Sequence, residues 1–130
     1  MNDDNKNLRQ ELKRLEAVVG EQITWLKDWH LRILGAAMNG ESVTAEDDTI
    51  DTPFRKWYYS HGQKAFGDSP AFPALGFSLE TMRTHARQLT QKLAETGKFP
   101  PMEYKDFMDA AAAFNETVFR LQRETLFQVA

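Results

Sequence analysis

The sequence predicts an all-α fold, a four-helix bundle of three long helices and one short one. Apolar residues recur every three or four positions over long stretches, proline and glycine stand near the ends of these stretches, and no segment alternates apolar and polar residues as a strand would. The chain has 130 residues, of which 42% are hydrophobic. This is the size of a single domain with a sizeable core.

The first helix is predicted from Asp4 to Asn39. Its apolar residues form one stripe with charged residues between them. The stripe consists of Leu8, Leu12, Leu15, Val19, Ile23, Leu26, Ile33 and Ala37. Because Gly20 is a weak helix former, it divides the helix into a charged leader, residues 1–20, and a bundle that spans 21–130.

The second helix is predicted to be short. An acidic connecting loop, residues 41–51, leads to Thr52 and Pro53, and a polar cap followed by proline is typical of a helix start. Since a histidine and a glycine follow Ser60, we expect the helix to end there. Residues 62–76 contain several glycines and prolines and predict a loop.

Two further long helices complete the bundle. The third is predicted over 77–96, or from near Ala71, and Gly97 stands where a C-terminal cap belongs. Its seam consists of Leu75, Leu79, Met82, Ala86, Leu89 and Leu93. The last helix begins at Met102, and its inner face consists of Phe107, Ala111, Phe114, Val118, Leu121 and Leu126. Because its end is still apolar and helical, we expect it to be a linker helix that continues into an output domain; the alternative is an ordinary frayed C-terminus.

Composition excludes several classes of protein. The absence of cysteine removes disulfides, thiolate zinc sites and a cysteine nucleophile. The net charge of −3, with acids and bases interspersed, offers no basic patch for nucleic acid. A polar N-terminus and the lack of an apolar run of about 18 residues indicate a soluble, cytoplasmic protein with no membrane partner.

No motif for catalysis or for a cofactor is present, and the chain is not expected to be an enzyme. His30 shares the stripe of the first helix, and His85 flanks the seam of the third. In an up-and-down bundle the first and third helices run parallel, so the two imidazoles could lie at the same level of the bundle interior. One interpretation is a ligand, metal or haem site; the other is a pair of hydrogen-bonded histidines.

The stretch Thr52-Pro-Phe-Arg-Lys-Trp-Tyr-Tyr-Ser-His-Gly62 resembles the motif C-x-F/L-G-K/R-W-Y-x-x-x-G of the chemoreceptor zinc-binding (CZB) family. Lys56, Trp57 and Tyr58 carry the likeness, with Arg55 in the place of the motif's glycine. The family also has a first-helix histidine three residues before a tryptophan. Trp29 matches that tryptophan here. A P-x-F-x-x-L element, here Pro70-Ala-Phe-Pro-Ala-Leu75, precedes an H-x-x-x-H pair in the family.

The resemblance implies that zinc is absent from this chain. Family members hold zinc with three histidines and one cysteine. The corresponding positions here are Leu26, Thr52, Leu79 and Arg83. Leucine offers no lone pair and arginine is permanently charged, so the site is degenerate. Arg83 lies either on the surface or inside, where it needs an acid from another helix. Trp29, Trp57 and Tyr58 are expected to pack in the core or at an interface.

The resemblance also implies a function. Similar proteins are symmetric homodimers that stand beside chemoreceptor signalling regions or GGDEF diguanylate cyclase domains. We therefore expect a sensory or regulatory input domain that controls a C-terminal output domain in the same chain, a diguanylate cyclase making cyclic-di-GMP. The alternatives are a sensor that uses His30 and His85, or a chemoreceptor-type signalling domain.

Overall fold

A computed structural model describes residues 2–40 and 52–129 and confirms the all-α fold. No strand occurs within these two ranges. The elements are α1 (Asn2–Asn39), α2 (Pro53–Trp57), a π-helical turn (Tyr58–Gly62), α3 (Gln63–Phe66), α4 (Ala71–Thr96) and α5 (Pro101–Val129). None of the helices described here combines the length and the apolar character that crossing a membrane requires. The predicted acidic loop, residues 41–51, lies outside the described residues.

Helix α1 is continuous through Gly20. Its buried face includes Leu15, Trp29 and Ile33. The prediction that Ile23 belongs to this face is wrong, because Ile23 is 57% exposed whereas the preceding residue, Gln22, is 3% exposed. Successive residues of a helix are 100° apart, so the face that meets the other helices passes through Gln22 and leaves Ile23 outside.

The short helical run begins as predicted, with Thr52 as its N-cap and Pro53 in the first turn. Its predicted end near Ser60 is wrong, because helical structure continues through the π-helical turn to Phe66. The predicted loop over residues 62–76 is correspondingly wrong, since only 67–70 separate α3 from α4. Packing outweighs the cost of a helical glycine, which is only about 1 kcal/mol.

Helices α4 and α5 form an antiparallel hairpin. Gly97 has φ 66° and donates its N–H to the Leu93 carbonyl at 2.8 Å, so the predicted C-terminal cap is confirmed. The predicted seam of α4 is buried throughout. On α5, Leu126 is 56% exposed instead of buried, and the preceding Thr125 takes its place inside.

Contacts between elements fix the topology. Helix α1 runs antiparallel to α5, since Arg9 donates to the Val129 carbonyl at one end and His30 meets Tyr104 near the other. Helix α1 is therefore parallel to α4. The short run from α2 to α3 covers the α4–α5 hairpin through the edge-on contact of Phe54 with Phe114, whose ring centroids are 5.1 Å apart. This arrangement places Thr52 between the long helices.

Candidate functional site

The start of α2 is anchored by Thr52, which is buried. Its hydroxyl oxygen accepts a hydrogen bond from the Arg55 backbone N–H at 3.2 Å, as an N-cap does. The cap directs the Arg55 side chain toward α4, where its Nε donates to Glu80 Oε1 at 3.0 Å. The local sequence thus links the beginning of the short helix to the middle of a long one.

Glu80 is the centre of a polar cluster on the surface between α2 and α4. Besides the bond from Arg55, its carboxylate accepts one from the Tyr59 hydroxyl at 3.0 Å and one from Arg83 Nη1 at 2.8 Å. The expectation that an inward Arg83 needs an acid from another helix is wrong. A residue three positions earlier on a helix is within reach of a long side chain, and Glu80 occupies that place.

The cluster shifts the pKa of Glu80. Burial raises the pKa, but the hydrogen bonds from Arg55, Tyr59 and Arg83 outweigh it, and the pKa of Glu80 is lowered from its ordinary 4.5. A carboxylate whose pKa is lower in the folded state stabilises the fold at pH values above 4.5. That contribution is lost as the pH falls through the lowered value.

We expect Glu80→Gln to lower the urea midpoint at neutral pH, because the amide keeps the shape but not the charge that two guanidinium groups meet. The difference from the unmodified chain should shrink as the pH is lowered below 4.5. Glu95→Gln, at an exposed position on the same helix, is the matched control. A difference for Glu80→Gln that stays constant from neutral pH to pH 3 would contradict the assignment.

Tyr58 attaches the short helical segment 53–66 to α4 through contacts with Phe72. Its hydroxyl donates to the Phe72 carbonyl at 2.8 Å, and its ring stacks on that of Phe72 with centroids 4.2 Å apart. Burial raises the pKa of Tyr58 above its ordinary value. A Cβ at Gly76 would lie 2.1 Å from this hydroxyl oxygen, so the contact requires glycine.

Gly62, the last residue of the motif segment 52–62, also makes a close contact that requires glycine. A Cβ at Gly62 would lie 3.0 Å from three atoms of the Trp57 ring, so the ring packs directly on the backbone there. Trp57 and Tyr58 are both buried, whereas Lys56 is exposed. The aromatic residues of the motif therefore pack in the core of this chain.

Two of the four positions that the resemblance aligns with zinc ligands meet in the structure. Thr52 and Arg83 line one small cavity together with Gln22. Leu79 is fully buried in the core, and Leu26 is half-buried on α1. Gln22 was not predicted as a site residue, although it stands three residues before Trp25, the same spacing that Leu26 has before Trp29.

The two histidines have separate surroundings. His30 Nε2 is 3.2 Å from the Tyr104 hydroxyl of α5, and its ring meets Phe107 edge-on. His85 is half-buried on α4. Within residues 2–40 and 52–129, no group of three or more histidine, aspartate or glutamate side chains is placed to hold a metal ion.

Comparison of the chain with protein-family models, with curated proteins and with solved structures finds no match.

Proposed function

We propose that the chain is a cytoplasmic regulatory input domain that forms a homodimer and controls a C-terminal output domain. The output domain of this proposal is a GGDEF diguanylate cyclase that makes cyclic-di-GMP, with all catalysis in that domain. The resemblance of the segment 52–62 to the CZB family supports the choice of output. The observation that carries the dimer is an exposed apolar face on α5.

Helix α5 has two adjacent seams with heptad spacing. The inner seam, which packs in the bundle, consists of Phe107, Ala111, Phe114, Val118, Leu121 and Thr125. Each residue of the outer seam directly follows one of the inner seam. The outer seam consists of Met108, Ala112, Asn115, Phe119, Gln122 and Leu126. Steps of four and three residues are those of helices that pack against a second helix over their whole length.

Side chains of the outer seam reach far into solvent. Phe119 is 75% exposed and Leu126 is 56% exposed. They share an open groove with Leu12 of α1, so the apolar surface extends over two helices. Glu16, Gln122 and Arg123 also line this groove and give it a polar rim. Exposed apolar surface that is continuous in this way marks interaction sites. A second copy related by a twofold axis would bury the same outer seam on both chains.

A dimer of this kind gives α5 a regulatory role. The 29 residues of α5 form one unbroken helix that carries both the inner seam and the outer seam. A change of packing inside the bundle therefore turns or shifts the outer seam as well. A signal acts by binding one of the two arrangements more tightly than the other. The four positions aligned with zinc ligands carry no strong zinc donor, so packing between the helices and pairing of the two chains transmit the signal in place of a metal.

Phe119→Glu is expected to convert the dimer into a monomer, because a charge at the centre of the outer seam cannot be buried against the same charge on the partner. Sedimentation velocity at tens of micromolar protein measures the change. Phe77→Glu, at a phenylalanine of α4 that is also 75% exposed, is the matched control and should remain dimeric. A monomeric unmodified chain at this concentration would overturn the proposed dimer.

The regulatory part of the proposal has its own test. In this test a diguanylate cyclase catalytic domain is joined after α5 so that the helix continues into it. The rate of the fused enzyme should fall by more than tenfold with Phe119→Glu and should be unchanged with Phe77→Glu. Cyclic-di-GMP formation is the readout. If both variants made cyclic-di-GMP at the same rate although Phe119→Glu was monomeric, the dimer would stand and the proposed control of a cyclase would be wrong.

A further inference from the structure

A small space lies between α1, the N-cap of α2, α4 and α5. Its volume is about 10 Å³. Its apolar walls are formed by Trp25, Met82, Ala86 and Phe107. About 10–15 Å³ on this measure is the least volume that holds one water molecule, so the space has room for one water at most.

Three polar side chains complete the lining, and two of them have buried atoms without a partner. Gln22 is 3% exposed, and its Oε1 accepts no hydrogen bond from the described residues. Arg83 Nε is likewise buried and donates to none of them, because the ion pair with Glu80 uses Nη1. Buried polar atoms in folded proteins nearly always have a partner, which is either protein or ordered water.

We infer that this cavity is a binding site for one ordered water molecule. The water donates a hydrogen bond to Gln22 Oε1 and accepts one from Arg83 Nε–H. The Thr52 hydroxyl oxygen already accepts from the Arg55 N–H, so its own hydrogen is free to point at the same water. Buried waters make about three hydrogen bonds, which is the number of partners available here.

The site connects three elements that are distant in the sequence. Gln22 lies on α1, Thr52 caps α2 and Arg83 lies on α4. Met82, Ala86 and Phe107 offer no hydrogen bond to the water, and the indole N–H of Trp25 is the one other side-chain donor among the lining residues. It fixes the rotation of α1 relative to α4 at one level of the bundle. This inference is independent of the proposed dimer, since none of the three residues belongs to the outer seam.

Gln22→Leu tests the inference through the sign of its effect on stability. If the water is present, Gln22→Leu removes one of the three hydrogen bonds that the water makes. The equilibrium constant for unfolding should then rise roughly fivefold. Without the water, leucine removes an unpartnered polar atom and adds apolar contact, and the constant should fall. Thr125→Val is the matched control, because Thr125 is also buried and its hydroxyl donates, within the described residues, to the Leu121 carbonyl of its own helix. Its constant should change less than that of Gln22→Leu.

A crystal structure at about 1.5 Å resolution provides the direct observation. Density for one water within hydrogen-bond distance of Gln22 and Arg83, absent from the Gln22→Leu crystal, would establish the site. An empty cavity in a map that resolves other buried waters would overturn it. An anomalous signal for chloride or bromide at the same place would also overturn it, because the ligand would then be an anion.

Discussion

Gly76→Ala is expected to destabilise the fold by about 2–3 kcal/mol, although alanine is the better helix former by about 1 kcal/mol. The added Cβ would lie 2.1 Å from the Tyr58 hydroxyl oxygen and 2.6 Å from the ring carbon that bears it. The Tyr58 ring is stacked on Phe72 and its hydroxyl donates to the Phe72 carbonyl, so moving Tyr58 away breaks both contacts. The methyl group must therefore separate α4 from the short helical run. Urea denaturation followed by tryptophan fluorescence measures the loss.

Gly20→Ala is the matched control for this prediction. It also places an alanine inside a long helix, but nothing lies within 4 Å of the added Cβ. This variant should gain about 0.5–1 kcal/mol from helix propensity alone. Tyr58→Phe should restore part of the stability of Gly76→Ala, since the hydroxyl oxygen is the nearest obstacle. If both glycine variants were equally stable, the close packing of Tyr58 on Gly76 would be wrong.

Phe107→Ala is expected to cost about 3–5 kcal/mol, the range for removing a fully buried phenylalanine. Phe107 has no exposed surface, and its ring centroid lies 4.6 Å from that of Trp29 on α1. The ring also meets His30 edge-on. Its removal leaves a cavity where α1 and α5 meet, and the variant should unfold at a much lower urea concentration.

Phe119→Ala makes the same chemical change on the same helix at a side chain that is 75% exposed. At a protein concentration low enough to keep the chain monomeric, its stability should stay within about 0.5 kcal/mol of the unmodified chain. At higher concentration the proposed dimer adds a stabilisation that this variant lacks. Equal losses for Phe107→Ala and Phe119→Ala in the monomer would show that the two seams of α5 are assigned wrongly.

Periodicity and end signals in the sequence predict most of the secondary structure. The α4 seam repeats at three and four residues, and Gly97 can adopt the left-handed conformation that ends a helix. Thr52 followed by Pro53 marks a helix start for equally local reasons. These features depend on neighbours within one helical turn, so they can be recognised without knowing what packs against them.

Local rules fail where a distant residue decides the conformation. Gly62 and Gly76 suggest a loop, but one packs on the Trp57 ring and the other on the Tyr58 hydroxyl, and both lie within helices. Pattern alone also cannot choose between adjacent positions of a wide apolar arc. The sequence pattern therefore assigns Ile23 and Leu126 to the buried faces, whereas the structure buries the preceding residues, Gln22 and Thr125.

By itself, the sequence determines the all-α fold class, the helix start at Thr52 and the helix end at Gly97, because these follow from period and capping chemistry within a single segment. Only the tertiary structure decides which side of each helix is inside. It places Gln22 and Arg83 around one cavity and leaves the outer seam of α5 uncovered. Both outcomes depend on how rigid helices rotate against one another, and that rotation is set by contacts between residues far apart in the chain.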